Sequence, residues 1–152
     1  MKVGDLARRA VVVARGDEPL LEAARRMRDQ HVGCLVVVED DEDGTHPIGI
    51  VTDRDLLIAI LGTGAAHVEG LRIAELMSWD LVVAHEGDDV DEALARMRSR
   101  GVRRLPVVDD AGVLRGILAY DDVVEWLSHR LRRARAARHE RAAARARSST
   151  VT

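Results

Sequence analysis

Gly49-Ile50-Val51-Thr52-Asp53-Arg54-Asp55 returns 67 residues later as Gly116-Ile117-Leu118-Ala119-Tyr120-Asp121-Asp122. Upstream of these heptads the spacing is 70. Leu35-Val36-Val37-Val38 faces Leu105-Pro106-Val107-Val108, Arg26-Met27-Arg28 faces Arg96-Met97-Arg98, and Asp5-Leu6 faces Glu75-Leu76. The slip between the two spacings falls in the acidic stretch Glu39 to Pro47, where a turn tolerates a change of length. A single register accounts for every match, so the chain is an internal duplication. Its first copy spans 1–66 and its second 67–129, with a tail over 130–152.

Each copy predicts the same elements. A short β-branched run (Val11 to Val13; Leu81 to Val83) reads as a strand. A helix follows, with apolar residues at i, i+3, i+4 and i+7: Leu20, Ala23, Ala24 and Met27 in one copy, Val90, Ala93, Leu94 and Met97 in the other. Pro19 fits the first turn of that helix, where its missing N–H costs nothing. Two apolar strands come next, Leu35 to Val38 with Ile48 to Val51, and Leu105 to Val108 with Leu114 to Leu118. A second helix closes each copy, from Arg54 to Leu61 and from Asp121 into the tail. A unit of ~60 residues is marginal for independent stability, and packing the two sheets together buries the faces that each copy leaves open. The fold class is therefore α/β (α+β): two β-α-β-β-α repeats packed through their sheets with pseudo-twofold symmetry, plus a helical C-terminal extension. Two equivalent crevices remain beside the strand ends.

Composition narrows the function. The chain is 47% hydrophobic yet has no Phe, and Trp79, Tyr120 and Trp126 are its only aromatics. Stacking platforms for single-stranded nucleic acid are thus nearly absent. Cys34 is the only cysteine, which fits a reducing compartment. The longest apolar stretch, Leu56 to Leu61, is far short of the ~20 residues a membrane-spanning helix needs. Residues 1–9 carry no apolar signal region, and the reading is cytoplasmic with no membrane association. The net charge of -3 hides a division: from Arg130 onward eight arginines meet one acid, a local +7, which leaves -10 on the body.

Gly49-Ile50-Val51-Thr52-Asp53-Arg54-Asp55 resembles the nucleotide-contacting signature of cystathionine-β-synthase (CBS) domains: Gly, two apolar residues, Thr or Ser, any two, Asp. Val102-Arg103-Arg104-Leu105-Pro106-Val107-Val108-Asp109 resembles the strand segment of a second CBS copy. The resemblance covers residue 3 to about 128. It implies a non-catalytic regulatory pair that binds AMP, ATP, NAD-like molecules or S-adenosylmethionine. It also implies disc-like homodimers and control of a partner protein that the sequence does not identify.

On that resemblance, Thr52 sits where a strand meets a helix N-terminus, a place suited to an anion. Asp55 accepts from ribose hydroxyls, a charge-assisted contact worth about 1.5–3 kcal/mol. Val11, Val12, Val32 and Val36 wall the base. Thr-x-x-Asp is equally a capping box, and the two roles are compatible. In the second copy Asp122 keeps the ribose position, but Ala119 removes the hydroxyl, leaving that site weak, altered or empty. Arg103 and Arg104 alternate across a strand, so at most one enters the cleft to meet phosphate. The other reading for this pair is a surface salt bridge.

His31-x-x-Cys34 offers two metal ligands where structural zinc needs four, and no metal or catalytic constellation is expected. The Arg130 to Arg147 stretch is rich in Arg and Ala, both helix formers. It reads as a solvated helix, as an arm for nucleic acid or an acidic partner whose binding would weaken with salt, or as an arm that folds back on its own acidic body. If the pockets are degenerate, the remaining reading is a structural, dimerising module.

Overall fold

In both repeats the periodicities resolve into the expected order. The computed structural model describes residues 1–148; positions 149–152 of the tail lie outside the described residues. The first repeat holds a single turn α1 (Val3–Leu6), then β1 (Val13–Ala14), α2 (Leu20–Asp29), β2 (Cys34–Asp40), β3 (Thr45–Thr52) and α3 (Asp53–Thr63). Two 3₁₀ turns, Ala65–Gly70 and Ile73–Glu75, lead into β4 (Ala84–His85), α4 (Val90–Arg100), β5 (Arg104–Val108), β6 (Leu114–Ala119) and α5 (Tyr120–Ser148). Each repeat has one three-stranded sheet, ordered β1-β2-β3 and β4-β5-β6. Within each, the first pair is parallel and the second antiparallel.

The helices bury the residues their period selects: Leu20, Ala23 and Met27 on α2, and Val90, Ala93 and Met97 on α4. β2 is buried at every position from Cys34 to Val38, so both of its faces are covered. Leu35 and Val37 pack into the core that α2 and α3 close, while Val36 points the other way, toward the second sheet. Hairpin tips meet there too, His46 bonding through Nδ1 to the Gly112 carbonyl at 3.0 Å.

Three expectations shift. The strands expected at Val11 to Val13 and Leu81 to Val83 begin two or three residues later, although Val12 already accepts a backbone bond from Val36 N at 3.2 Å; Pro106, at the position equivalent to Val36, has no N–H to give Val82. Pro19 is not in the first helical turn; it precedes it with extended backbone (φ -61°, ψ 139°). The acidic stretch is shorter than expected as a turn, since the β2-β3 ladder runs out to Asp40 and Thr45.

The segments that lead into β1 (residues 3–8) and β4 (residues 73–78), the two leaders, cross over. Val3, Leu6 and Ala7 pack in the second repeat's core, whereas Ile73, Ala74, Leu76 and Met77 pack in the first. Arg8 exchanges backbone bonds with Ile117 at 2.9 and 3.0 Å, and Ser78 N donates to the Ile50 carbonyl at 2.9 Å. These bridges are equivalent in the repeat register, so each leader edges the sheet of the other copy.

Candidate functional site

The crossing decides which residues share a cleft. Arg8 arrives on the first leader beside β6. Ala10, Val11 and Val12 follow it, and the turn from α2 into β2 brings His31, Val32 and Cys34 to the same place. Arg104 at the start of β5, Ala119 at the end of β6 and Asp122 in the first turn of α5 close the other side. The result is a cleft of about 250 Å³ whose apolar wall belongs to the first repeat and whose acid belongs to the second.

Asp122 is the polar centre of this cleft. Its side chain is only 14% exposed while that of its partner Arg8 is 67% exposed. One carboxylate oxygen accepts from the Arg8 guanidinium, which holds the arginine's pKa above its ordinary value through that hydrogen bond and the carboxylate's charge. The second oxygen, Oδ2, is buried without a hydrogen-bond partner. An unsatisfied buried acceptor costs about 1–3 kcal/mol, so a donor reaching Oδ2 would be stabilised by that amount. Cys34 lies in the floor as a neutral thiol: burial pushes its pKa up, against a smaller opposite effect of nearby Arg104.

Thr52 and Asp55 hold the equivalent place in the first repeat, where Thr52 lies opposite Cys34 in the β2-β3 ladder. There the capping box is complete. Thr52 N and Thr52 Oγ1 both donate to Asp55 Oδ2 at 2.8 Å, and Asp55 N donates to Thr52 Oγ1 at 3.3 Å. The repeat register gives these two residues the wall Leu81, Val82 and Val102. Neither is among the residues that line the cleft of Val11, Val12 and Val32.

Among the remaining expected residues, Val36 is fully buried and pairs with Val13 and Ile50, behind the cleft wall rather than in it. The two arginines part as strand alternation demands. Arg104 lines the cleft, and Arg103 turns outward to Asp121 at 2.7 Å with its guanidinium 5.7 Å from the Tyr120 ring. Arg8 and His31 are among the cleft residues that were not sequence candidates. Arg8 is invisible without the crossing, and His31 carries a signal only in its register partner, Gly101. No group of three or more His, Cys, Asp or Glu side chains capable of holding a metal occurs among the described residues. No helix among them is long and apolar enough to cross a membrane.

Comparison with known proteins agrees with this geometry. The CBS domain model matches residues 3–62 and 73–129. Protein MK0525 of Methanopyrus kandleri is 36% identical over 125 residues, covering 82% of this chain and 62% of the relative, so the chain spans less than two thirds of that relative's length. The CBS domain pair of protein MJ0100, solved with 5′-methylthioadenosine and S-adenosyl-L-methionine, superposes with a TM-score of 0.72 at 25% identity, over 86% of this chain and 98% of that one. The cytosolic domain of the Mg2+ channel MgtE, solved with ATP, gives 0.68 at 29% identity, over 82% and 48%. Duplicated sequence, crossed leaders and paired sheets thus have one origin: the chain belongs to the CBS domain family, as a tandem pair.

Proposed function

We propose that this pair is a regulatory module that binds an adenine nucleotide in the cleft at Asp122 and passes its occupancy to a partner protein. The observation that carries the reading is the Asp122 carboxylate, nearly buried, with one oxygen unpartnered, set between the aliphatic wall of Val11, Val12 and Val32 and the cations Arg8 and Arg104. A ribose hydroxyl supplies the missing donor, the adenine lies on the valines, and phosphate meets the two guanidinium groups. That the solved neighbours hold adenosine compounds supports the ligand class.

The cleft also ranks the candidates. About 250 Å³ falls just below the roughly 300–1,000 Å³ common for ligand sites, which suits one nucleoside better than a dinucleotide such as NAD. Arg8 and Arg104 repel the sulfonium of S-adenosylmethionine and attract phosphate. AMP or ATP is the favoured ligand. Because one wall comes from each repeat and Arg8 from a leader, a bound nucleotide favours one relative placement of the repeats, a bias of the kind that couples occupancy to a partner.

Titration calorimetry with AMP, ATP, NAD and S-adenosylmethionine tests this. Asp122→Ala is expected to weaken nucleotide binding at least tenfold, in line with loss of a charge-assisted bond. Asp55→Ala, whose carboxylate is engaged in its own helix cap, is expected to have the smaller effect. Equal affinity for all four compounds, or an unchanged constant in Asp122→Ala, would sink the assignment.

A further inference from the structure

The arginines of this chain fall into two populations. Those of the body mostly meet carboxylates, Arg26 pairing with Glu18 at 2.7 Å and Arg96 with Asp88 at 3.1 Å. On α5, Arg132, Arg133, Arg135, Arg138 and Arg141 are exposed, and among the described residues none of them has an ion pair. The one acid beyond Arg130 is Glu140, which stands three and four residues from alanines only: Ala136, Ala137, Ala143 and Ala144. The helix therefore cannot neutralise itself through the spacings that bring side chains together. Ala134 is the last residue of α5 to line the groove beside α4. Past it the helix runs on to Ser148, a rod of roughly 20 Å at about 1.5 Å per residue. Among the described residues, no side chain beyond Ala134 bonds to the body.

We propose that this arm binds double-helical DNA, lying in the major groove and neutralising phosphate on both sides of it. At about 100° per residue, Arg133 and Arg141 project to one flank of α5 and Arg132 and Arg135 to the opposite flank. Arg138 lies between the two flanks, and Glu140 is on the back. A helix of about 10–12 Å diameter enters a B-form major groove of about 12 Å. Phosphates border it there on both sides, one charge per ~1.7 Å of axis. The acidic face of a folded protein would meet one flank and leave the other bare. Other partners fit the arm less well. Between Leu131 and Ser148 the chain has no large apolar residue, which a membrane interface or an apolar protein groove would require. Trp126 is the last aromatic, so a single strand finds nothing to stack on. Duplex RNA has a major groove too deep and narrow for side chains to enter. Contact through phosphate alone carries no base sequence, so the arm takes any DNA duplex.

Fluorescence anisotropy of the full chain with a labelled DNA duplex of about 20 bp, in about 0.05 to 0.3 M KCl, tests the proposal. With about five phosphates neutralised, log K should fall with log[salt] at a slope of about −4.5, alike for two unrelated sequences. Arg132→Ala/Arg135→Ala/Arg138→Ala/Arg141→Ala exchanges arginine for a better helix former, so it removes charge and keeps the rod. It should flatten the slope by about 3.5 and weaken binding at low salt at least tenfold, with nucleotide binding unaltered. Lysine at the same positions should keep the slope and stay within about threefold of the wild type, because phosphate neutralisation needs the charge alone. A single strand, an RNA duplex, phosphatidylglycerol vesicles and a polyglutamate peptide should each bind at least tenfold more weakly than the DNA duplex. Absence of duplex binding at low salt, an unchanged slope in the four-alanine variant, or binding of any of the other polyanions as tight as that of the DNA duplex overturns the assignment.

Discussion

His31 has φ of 53°, the left-handed region, and it is the only residue other than glycine with positive φ among the described residues. At the matching position in the second repeat Gly101 ends α4 with φ of 65°. A residue with a Cβ gives up about 1–2 kcal/mol in that conformation, so the first repeat keeps a strained residue where its twin has relieved it. The strain coincides with a place in the cleft wall, which is where such cost tends to be retained. His31→Gly is therefore expected to stabilise the fold by about 1 kcal/mol, a rise of roughly 2–4 °C for a chain of this size, and to weaken nucleotide binding. Thermal unfolding and calorimetry on the same variant check both halves. A lower melting temperature would show that the ring contributes more to the fold than its backbone removes.

At the scale of elements, the glycines that open the two heptads have a use the sequence leaves unstated. A Cβ on Gly116 would lie 2.8 Å from the Arg8 carbonyl oxygen and 3.2 Å from the Ala7 Cβ, and one on Gly49 would lie 2.8 Å from Met77 Sδ and 3.0 Å from the Ser78 carbonyl oxygen. Both glycines are the gaps through which the opposite leader passes. Gly116 faces backbone first, while the nearest obstacle at Gly49 is a flexible thioether. Gly116→Ala should therefore destabilise by about 1–3 kcal/mol, the usual range for forced overpacking, and Gly49→Ala by less. Gly62, inside α3 with open space around it, should instead gain up to about 1 kcal/mol as alanine through helix propensity. Urea unfolding of the three variants orders them. The strand and helix order is legible from periodicity because burial enforces the period; the crossing is not. The match of Asp5-Leu6 to Glu75-Leu76 shows that the leaders are equivalent but says nothing about which sheet each one joins. That gap in the reading is why Arg8 is missed and why Asp55 is first paired with Val11 and Val12. Val36 is misplaced for another reason: a continuous apolar run carries no alternation to reveal which face looks into the cleft.

At the scale of the molecule, exchange of leaders makes each repeat a contributor to the other's core. Ile73 belongs to the second repeat by sequence yet is fully buried among Leu20, Leu35 and Val51 of the first; Val3 makes the reciprocal contribution beside Ala93 and Leu105. Opening either repeat removes an apolar plug and an edge segment from its twin, so neither has an independent folded state to retreat to. One cooperative transition is expected for the body of the chain. Ile73→Ala should lower its stability by about 2–5 kcal/mol, as truncation of a buried isoleucine commonly does, and the loss should fall on the whole molecule. Trp126 on α5, which lines a depression together with Leu6, provides a probe of the second repeat in a Trp79→Phe background that removes the other tryptophan. If its fluorescence and the far-UV circular dichroism lose structure at one urea concentration in both wild type and Ile73→Ala, the repeats unfold together. A variant in which the Trp126 signal survives while much of the helix signal is lost would mean that the crossed leaders are ornaments on two separable units.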